Sequence, residues 1–218
     1  MTVDKFTVLT PELHRYAVEH SSHRDGVSAD VERAGEEMGD LALMQIAGDQ
    51  AALITLLVGA IGARRALEVG TFLGYGALAI ARGLPGDGEL ICCELDEEYA
   101  QRAREHLKRA GVADRVEIRV GPAIETLRAI GEEESFDFAF VDADKGGYPD
   151  YYDECLRLLG PGGLLMLDNV FMGARILEPE GDPVVTAVAE LNDRIASDAR
   201  VEAAMLAIAD GVTLARKL

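Results

Sequence analysis

Two short apolar runs in this chain end abruptly in acids or an amide. Phe138-Ala139-Phe140-Val141 is followed by Asp142-Ala143-Asp144-Lys145, and Leu164-Leu165-Met166-Leu167 by Asp168-Asn169. An apolar run of this length, bounded by turn signals, reads as a buried parallel strand. In open α/β sheets, ligands sit just beyond the carboxyl ends of the strands. Two such strands side by side place Asp142, Asp168 and Asn169 around one point. Two carboxylates and one amide oxygen are hard ligands, suited to Mg²⁺, Mn²⁺ or Ca²⁺ and poorly to zinc. Lys145 follows closely enough to reach the same site. A neighbouring cation disfavours its charged form, which fits it to act as a base.

The rest of the chain sets these runs in an alternating series. Strands are expected at Arg65 to Val69, Glu89 to Glu94, Val116 to Val120, Phe136 to Val141 and Leu164 to Leu167. Helices are expected between them, at Gly74 to Gly83, Glu97 to Ala110, Ala123 to Ile130 and Asp150 to Leu159. This alternation implies an α/β fold: a doubly wound, Rossmann-like, mostly parallel sheet with helices on both faces. The end breaks the pattern. After a helix at Val184 to Ile195, the segments Val201 to Ile208 and Val212 to Arg216 flank Asp210-Gly211 and read as an antiparallel hairpin with a D-G turn. Residues 1–43 read as a helical extension, with polar helices at Pro11 to His20 and Ala29 to Met38 broken by Asp25-Gly26. Asp49 is placed to cap a third helix, Gln50 to Ile61. With 218 residues, no repeat and no dividing linker, residues 1–218 read as one domain.

Charge and cysteine use narrow the function. The chain carries 21 basic and 39 acidic residues, a formal net charge of -18. Nucleic acid and anionic membranes repel such a chain. The basic cluster Arg102 to Arg109 is interrupted by Glu105 and reads as a solvated helix face. The polar, acid-containing N-terminus does not read as a signal peptide, and no run approaches the ~18 apolar residues of a membrane helix. Cys92, Cys93 and Cys155 form no C-x-x-C pair, so reduced thiols in a cytoplasm are expected. His20 and His23 lie in a polar stretch at a helix end and read as surface or capping residues.

The first crossover points to a cofactor. Ala66-Leu67-Glu68-Val69-Gly70-Thr71-Phe72-Leu73-Gly74-Tyr75-Gly76 reads as strand, glycine loop and helix start. The loop lets a ligand approach backbone N–H groups. It is not G-x-G-x-x-G, so a pyrophosphate site is disfavoured. Glu68 aims a negative charge into the loop, which is hostile to a diphosphate and favourable to a cation. Glu94 ends the second strand, where an acid takes two ribose hydroxyls. Together these favour S-adenosylmethionine, an adenosyl ligand with a positive centre and no phosphates.

From Met44 to Lys217 the chain resembles the cation-dependent class I O-methyltransferases, the caffeoyl-CoA and catechol O-methyltransferase family. The segments that carry the likeness are M-Q-I-A-G-D-Q, L-E-V-G-T-F-L-G-Y-G, C-E-L-D, G-P-A, F-V-D-A-D-K, P-G-G-L-L-M-L-D-N-V, E-L-N-D-R and I-A-D-G-V-T-L-A-R-K. The resemblance implies Asp142, Asp168 and Asn169 as metal ligands and Lys145 as catalytic base. It implies Glu68, Gly70, Thr71 and Gly76 along the methionine end of the cofactor, and Glu94 on the ribose. Ala123 would meet the adenine edge, Asp144 the methionine amine, and Ile46 would close over the cofactor. Asp142 borders cofactor and metal alike. A homodimer is implied as well, in keeping with N-terminal helices that need a partner surface.

The chain departs from the family pattern at several positions. Gly76 replaces a serine whose hydroxyl meets the cofactor carboxylate. Met172 replaces a tryptophan that flanks the aromatic substrate, Gly173 and Gly147 replace asparagines, and Ala207 replaces a proline. Met172 and Asn192, with Phe171 and the Asp210-Gly211 turn, would border the acceptor ring. A thioether wall is adaptable but not flat, so a small catechol-type acceptor is expected, in a permissive pocket. The alternatives are a tRNA-modifying relative, opposed by the net charge, and a nicotinamide oxidoreductase, opposed by the missing phosphate glycines. A cofactor-binding protein without turnover is opposed by Lys145 and the metal triad.

Overall fold

In the computed structural model, which describes residues 7–21, 25–131 and 135–218, three helices precede the sheet. Helix α1 is Pro11–Glu19, capped by the Thr10 hydroxyl, which accepts the Leu13 N–H at 3.2 Å. Helix α2 is Gly26–Glu36. Asp25-Gly26 separates α1 from α2 as expected and also starts the second helix: Asp25 Oδ1 accepts the Ser28 N–H at 2.9 Å, so α2 begins earlier than Ala29. Helix α3 is Gly48–Ala60. Its first turn is closed by Gln50, whose Oε1 accepts the Ala47 N–H at 3.0 Å, and Asp49 lies inside the helix rather than capping it. His20 ends α1 and stacks on Tyr16; His23 lies outside the described residues.

The alternating region follows the expected order. Strands β1 (Arg65–Val69), β2 (Glu89–Glu94), β3 (Val116–Val120), β4 (Phe136–Val141) and β5 (Leu159–Leu167) are parallel. They are joined by α4 (Tyr75–Gly83), α5 (Glu97–Arg109), α6 (Ala123–Ala129) and α7 (Tyr148–Leu158). After α8 (Pro183–Ser197), β6 (Val201–Leu206) and β7 (Val212–Lys217) complete the sheet, β7 lying antiparallel to β5. The order β3-β2-β1-β4-β5-β7-β6 reverses direction between β1 and β4. At such a switch point the loops diverge and leave a crevice.

The unbroken apolar runs have a physical cause in this sheet. On β4, Phe138 and Phe140 pack with Ile54 and Val58 of α3 and Leu78 of α4. Ala139 and Val141 face the other way, onto Tyr148 and Tyr152 of α7 and Leu191 of α8. Both faces are covered, so no polar alternation remains. Each large apolar side chain buried this way stabilises the fold by about 1.5–3 kcal/mol. Strand β5 starts at Leu159, earlier than expected, because Leu159 pairs with Phe136 before an irregularity in the ladder. The Gly160-Pro161-Gly162-Gly163 stretch hid that start.

Two further expectations are corrected. The hairpin connection spans residues 207–211. Gly211 N–H donates to the Ile208 carbonyl at 2.8 Å, so Ala209 (φ 46°) and Asp210 are its central residues. The connection is stretched because it is docked: Val170 and Phe171 N–H groups donate to the Gly211 and Asp210 carbonyls. Gly39–Ala60 reaches a mean hydropathy of 1.6 and is long and apolar enough to cross a membrane. It is not one helix, since extended backbone at Gln45 and Ala47 separates the 3₁₀ turn Gly39–Met44 from α3.

Candidate active site

A cavity of about 800 Å³ opens at the switch point, beyond the carboxyl ends of β1, β2 and β4. The β1–α4 loop forms its floor. Gly70 (φ 93°) is confined there: a β-carbon would stand 2.3 Å from the Asp142 carbonyl oxygen. No other residue lets the ends of β1 and β4 come so close. Glu68, Thr71 and Gly76 line the same cavity, with Ile46 over it from the N-terminal side and Ala123 at the start of α6.

Glu68 is fully enclosed, and among the described residues neither carboxyl oxygen meets a hydrogen-bond donor in good geometry. Burial pushes its pKa up to about 8; Cys92 and Thr71 oppose the rise, and the charges of Glu94 and Asp142 add to it. An unpaired buried acid facing a cavity is a receptor for a cationic group. Glu94 differs. Its Oε2 accepts the Thr71 and Phe72 N–H groups at 3.1 and 2.6 Å, and its Oε1 those of Leu95 and Asp96 at 2.9 and 3.0 Å. It therefore holds the glycine loop in shape, and a ribose would share oxygens already engaged by backbone.

The ends of β4 and β5 bring the candidate metal ligands together. Val141 pairs with Leu167, and the Asp168 N–H continues the ladder to the Val141 carbonyl at 3.1 Å. Asp142 and Asn169 line the cavity, and Asp168 is buried just behind them. Asn169 sits at φ 52°, a left-handed conformation that asparagine tolerates. Burial raises the pKa of Asp168 to about 7, and the Asp142 charge adds to the rise. Burial raises Asp142 too, against the pull of Lys145. Two buried acids side by side form an anionic centre that a hard cation neutralises, so the donor set fits Mg²⁺, Mn²⁺ or Ca²⁺. Among the described residues no cluster of three His, Cys, Asp or Glu side chains is present, and the set needs the amide of Asn169 to be complete.

Lys145 is pinned rather than free. Its Nζ donates to Asp142 Oδ1 at 2.8 Å and to the Tyr148 hydroxyl at 2.9 Å. The Tyr148 hydroxyl in turn faces the Val141 and Asp168 carbonyl oxygens at 3.2 and 3.0 Å, tying β4 to β5. Asp144 lies at the rim, where Oδ1 accepts the Tyr151 hydroxyl at 2.6 Å and Oδ2 the Gly147 N–H at 3.0 Å. Gly147 makes this contact feasible, because a β-carbon there would stand 2.6 Å from the Tyr151 ring. Tyr148, Tyr151 and Gln50 carry no motif of their own and escaped the sequence reading. Gln50 had one signal, its place in the G-D-Q that closes the N-terminal segment.

Met172 and Asn192 are not brought to this cavity. Met172 is buried with Val185 and Val188 of α8 and with Ile176. Asn192 Nδ2 donates to the Val170 carbonyl at 3.0 Å, fastening the 170–173 loop to α8. In this structure both side chains support the 170–173 loop. The cause is the left-handed turn at Asn169 and again at Met172, which redirects the side chains after β5.

The sequence pattern of the O-methyltransferase family matches residues 18–218, extending the likeness well before Met44. The probable caffeoyl-CoA O-methyltransferase 1 of Dictyostelium discoideum is 33% identical over 93% of this chain and 90% of its own length. The catechol O-methyltransferase domain-containing protein 1 of Mus musculus is 42% identical over 78% of this chain and 66% of its own length. The crystal structure of the O-methyltransferase TomG from Streptomyces achromogenes, in complex with SAM, superposes with a TM-score of 0.87 at 32% identity. It covers 94% of this chain and 96% of its own.

Proposed function

The chain belongs to the O-methyltransferase family, and from that premise we propose that it transfers the methyl group of S-adenosylmethionine to one hydroxyl of a small vicinal diphenol, with a divalent cation. The observation that carries the reading is the convergence of Asp142, Asp168, Asn169 and Lys145 at two adjacent strand ends beside the unpaired Glu68.

Glu68 offers its charge to the donor's positive groups, and the backbone around Gly70 and Thr71 lines the methionine end. Glu94 and Ala123 serve the ribose and adenine, and Asp144 the amine. Asp142, Asp168 and Asn169 would hold the cation, and a cation held there would lower the phenol pKa and orient the acceptor. Lys145, held by Asp142 and Tyr148, takes the phenolic proton as the oxygen attacks. The carbon–sulfur bond breaks as the carbon–oxygen bond forms, and sulfur keeps the electron pair. Alignment of the two reactants is a large share of the rate.

A homodimer is supported by α3, which is apolar on its outward side as well as its buried one, with Leu56 62% exposed. An all-round apolar helix calls for cover. Three buried, unbridged cysteines support a cytoplasmic setting. The test is a methyl-transfer screen over catechols, monophenols, hydroxycinnamoyl esters and tRNA, with and without EDTA, alongside light scattering. Activity on catechols that EDTA abolishes is expected; full activity in excess EDTA refutes the cation, equal rates on monophenols refute the diphenol, and a monomer refutes the dimer.

A further inference from the structure

Gln50 is a buried polar side chain, 2% exposed, to which the transfer chemistry above gives no task. Both ends of its amide are engaged. Oε1 accepts the Ala47 N–H at 3.0 Å, and Nε2 donates to Asp168 Oδ1 at 2.8 Å. The first bond closes the turn next to Ile46, which lies over the cofactor cavity. The second crosses 118 positions of sequence to reach the end of β5.

The effect on Asp168 is asymmetric. Oδ1 accepts the Gln50 amide and also the Asn169 N–H at 2.7 Å, while Oδ2 accepts no hydrogen bond among the described residues. A carboxylate rotates softly about its last bond. Two donors on one oxygen stop that rotation and leave the other oxygen for a ligand. An amide is uncharged, so it does this without competing electrostatically with a cation.

We infer that Gln50 is the positioning residue of the cation site: it fixes the rotation of the Asp168 carboxylate. This rests on the cation reading given above. Partners that orient a metal ligand alter affinity when lost, by about 10–100-fold.

The experiment titrates the cofactor-free protein with Mn²⁺ alone, following free Mn²⁺ by electron paramagnetic resonance. Gln50→Met keeps the length and loses the amide; Gln50→Asn keeps the amide but falls one methylene short, and serves if the first variant does not fold. Mn²⁺ affinity is expected to fall about 10–100-fold, with S-adenosylhomocysteine affinity in chelator, read by calorimetry, held within about threefold. Unchanged Mn²⁺ affinity overturns the inference. Parallel loss of both affinities overturns it too, because that marks a disturbed start of α3. If the unaltered chain binds no Mn²⁺, the cation reading falls and this inference with it.

Discussion

The carboxyl of Glu68 lies over Gly76: a β-carbon built at position 76 would stand 2.3 Å from Glu68 Oε1 and 3.3 Å from the Phe140 ring. The side chain of β1 thus occupies space that any larger residue in the first turn of α4 would claim. Gly76→Ala should cost about 1–3 kcal/mol in urea unfolding, through overpacking. This holds even though alanine is the better helix former by about 1 kcal/mol. Gly76→Ser should cost less, because its hydroxyl supplies the donor Glu68 lacks. A stabilised Gly76→Ala variant would show that the carboxyl is not held there.

Burial of Glu68 also fixes a pH dependence. Its folded pKa, about 8, is above the ordinary 4.5. The proton is therefore held more tightly in the folded state, and the stability it gives is complete below pH 4.5 and lost as pH rises through 8. Glu68→Gln does not titrate. Between pH 6 and pH 9 the unaltered protein should lose stability relative to Glu68→Gln, on the order of 2–3 kcal/mol. A cationic donor prefers the ionised form, so its binding at pH 7 should release a proton, visible by calorimetry in buffers of different ionisation enthalpy. A gap that stays constant across this range, with no proton release, would show Glu68 to be ionised throughout.

The ends of β1, β2 and β4 were legible in the sequence because burial on both faces leaves mostly apolar runs, whereas β3, at the sheet edge, was legible from its alternation of apolar and charged residues. The metal and base candidates were legible for the same reason, since a polar residue directly after such a run sits at the rim of the crevice. What remained hidden depends on backbone direction and long-range contact. The left-handed turns at Asn169 and Met172 send Met172 into a cluster under α8, and a one-dimensional pattern gives no warning of that. Gln50 and Tyr148 act through bonds to distant or carbonyl partners, which residue type alone does not announce.

Tyr148 joins the base to both strand ends. Tyr148→Phe keeps the ring in its buried place and removes the hydroxyl from Lys145 Nζ, the Val141 carbonyl and the Asp168 carbonyl. Val141 retains the Asp168 N–H, whereas the Asp168 carbonyl loses this bond. Stability should fall by about 1–3 kcal/mol. The methyl-transfer kcat should fall about tenfold, equivalent to ~1.4 kcal/mol of barrier, while donor affinity holds. Lost stability with an unchanged kcat would leave Tyr148 as a tie between strands and nothing more.

Met172 was expected beside the acceptor ring, and its side chain packs under α8. A tryptophan in its place was expected to narrow the acceptor range by walling the ring. In the structure the side chain is buried among Val185, Val188 and Ile176, with a left-handed backbone at φ 53°. Met172→Ala should therefore cost about 2–5 kcal/mol, as removal of a buried methionine does. Met172→Trp should also destabilise, by overpacking, about 1–3 kcal/mol. The ranking of kcat/KM across a series of substituted catechols should stay the same in Met172→Ala, since no acceptor contact is removed. A reordered ranking at unchanged stability would place Met172 against the acceptor after all.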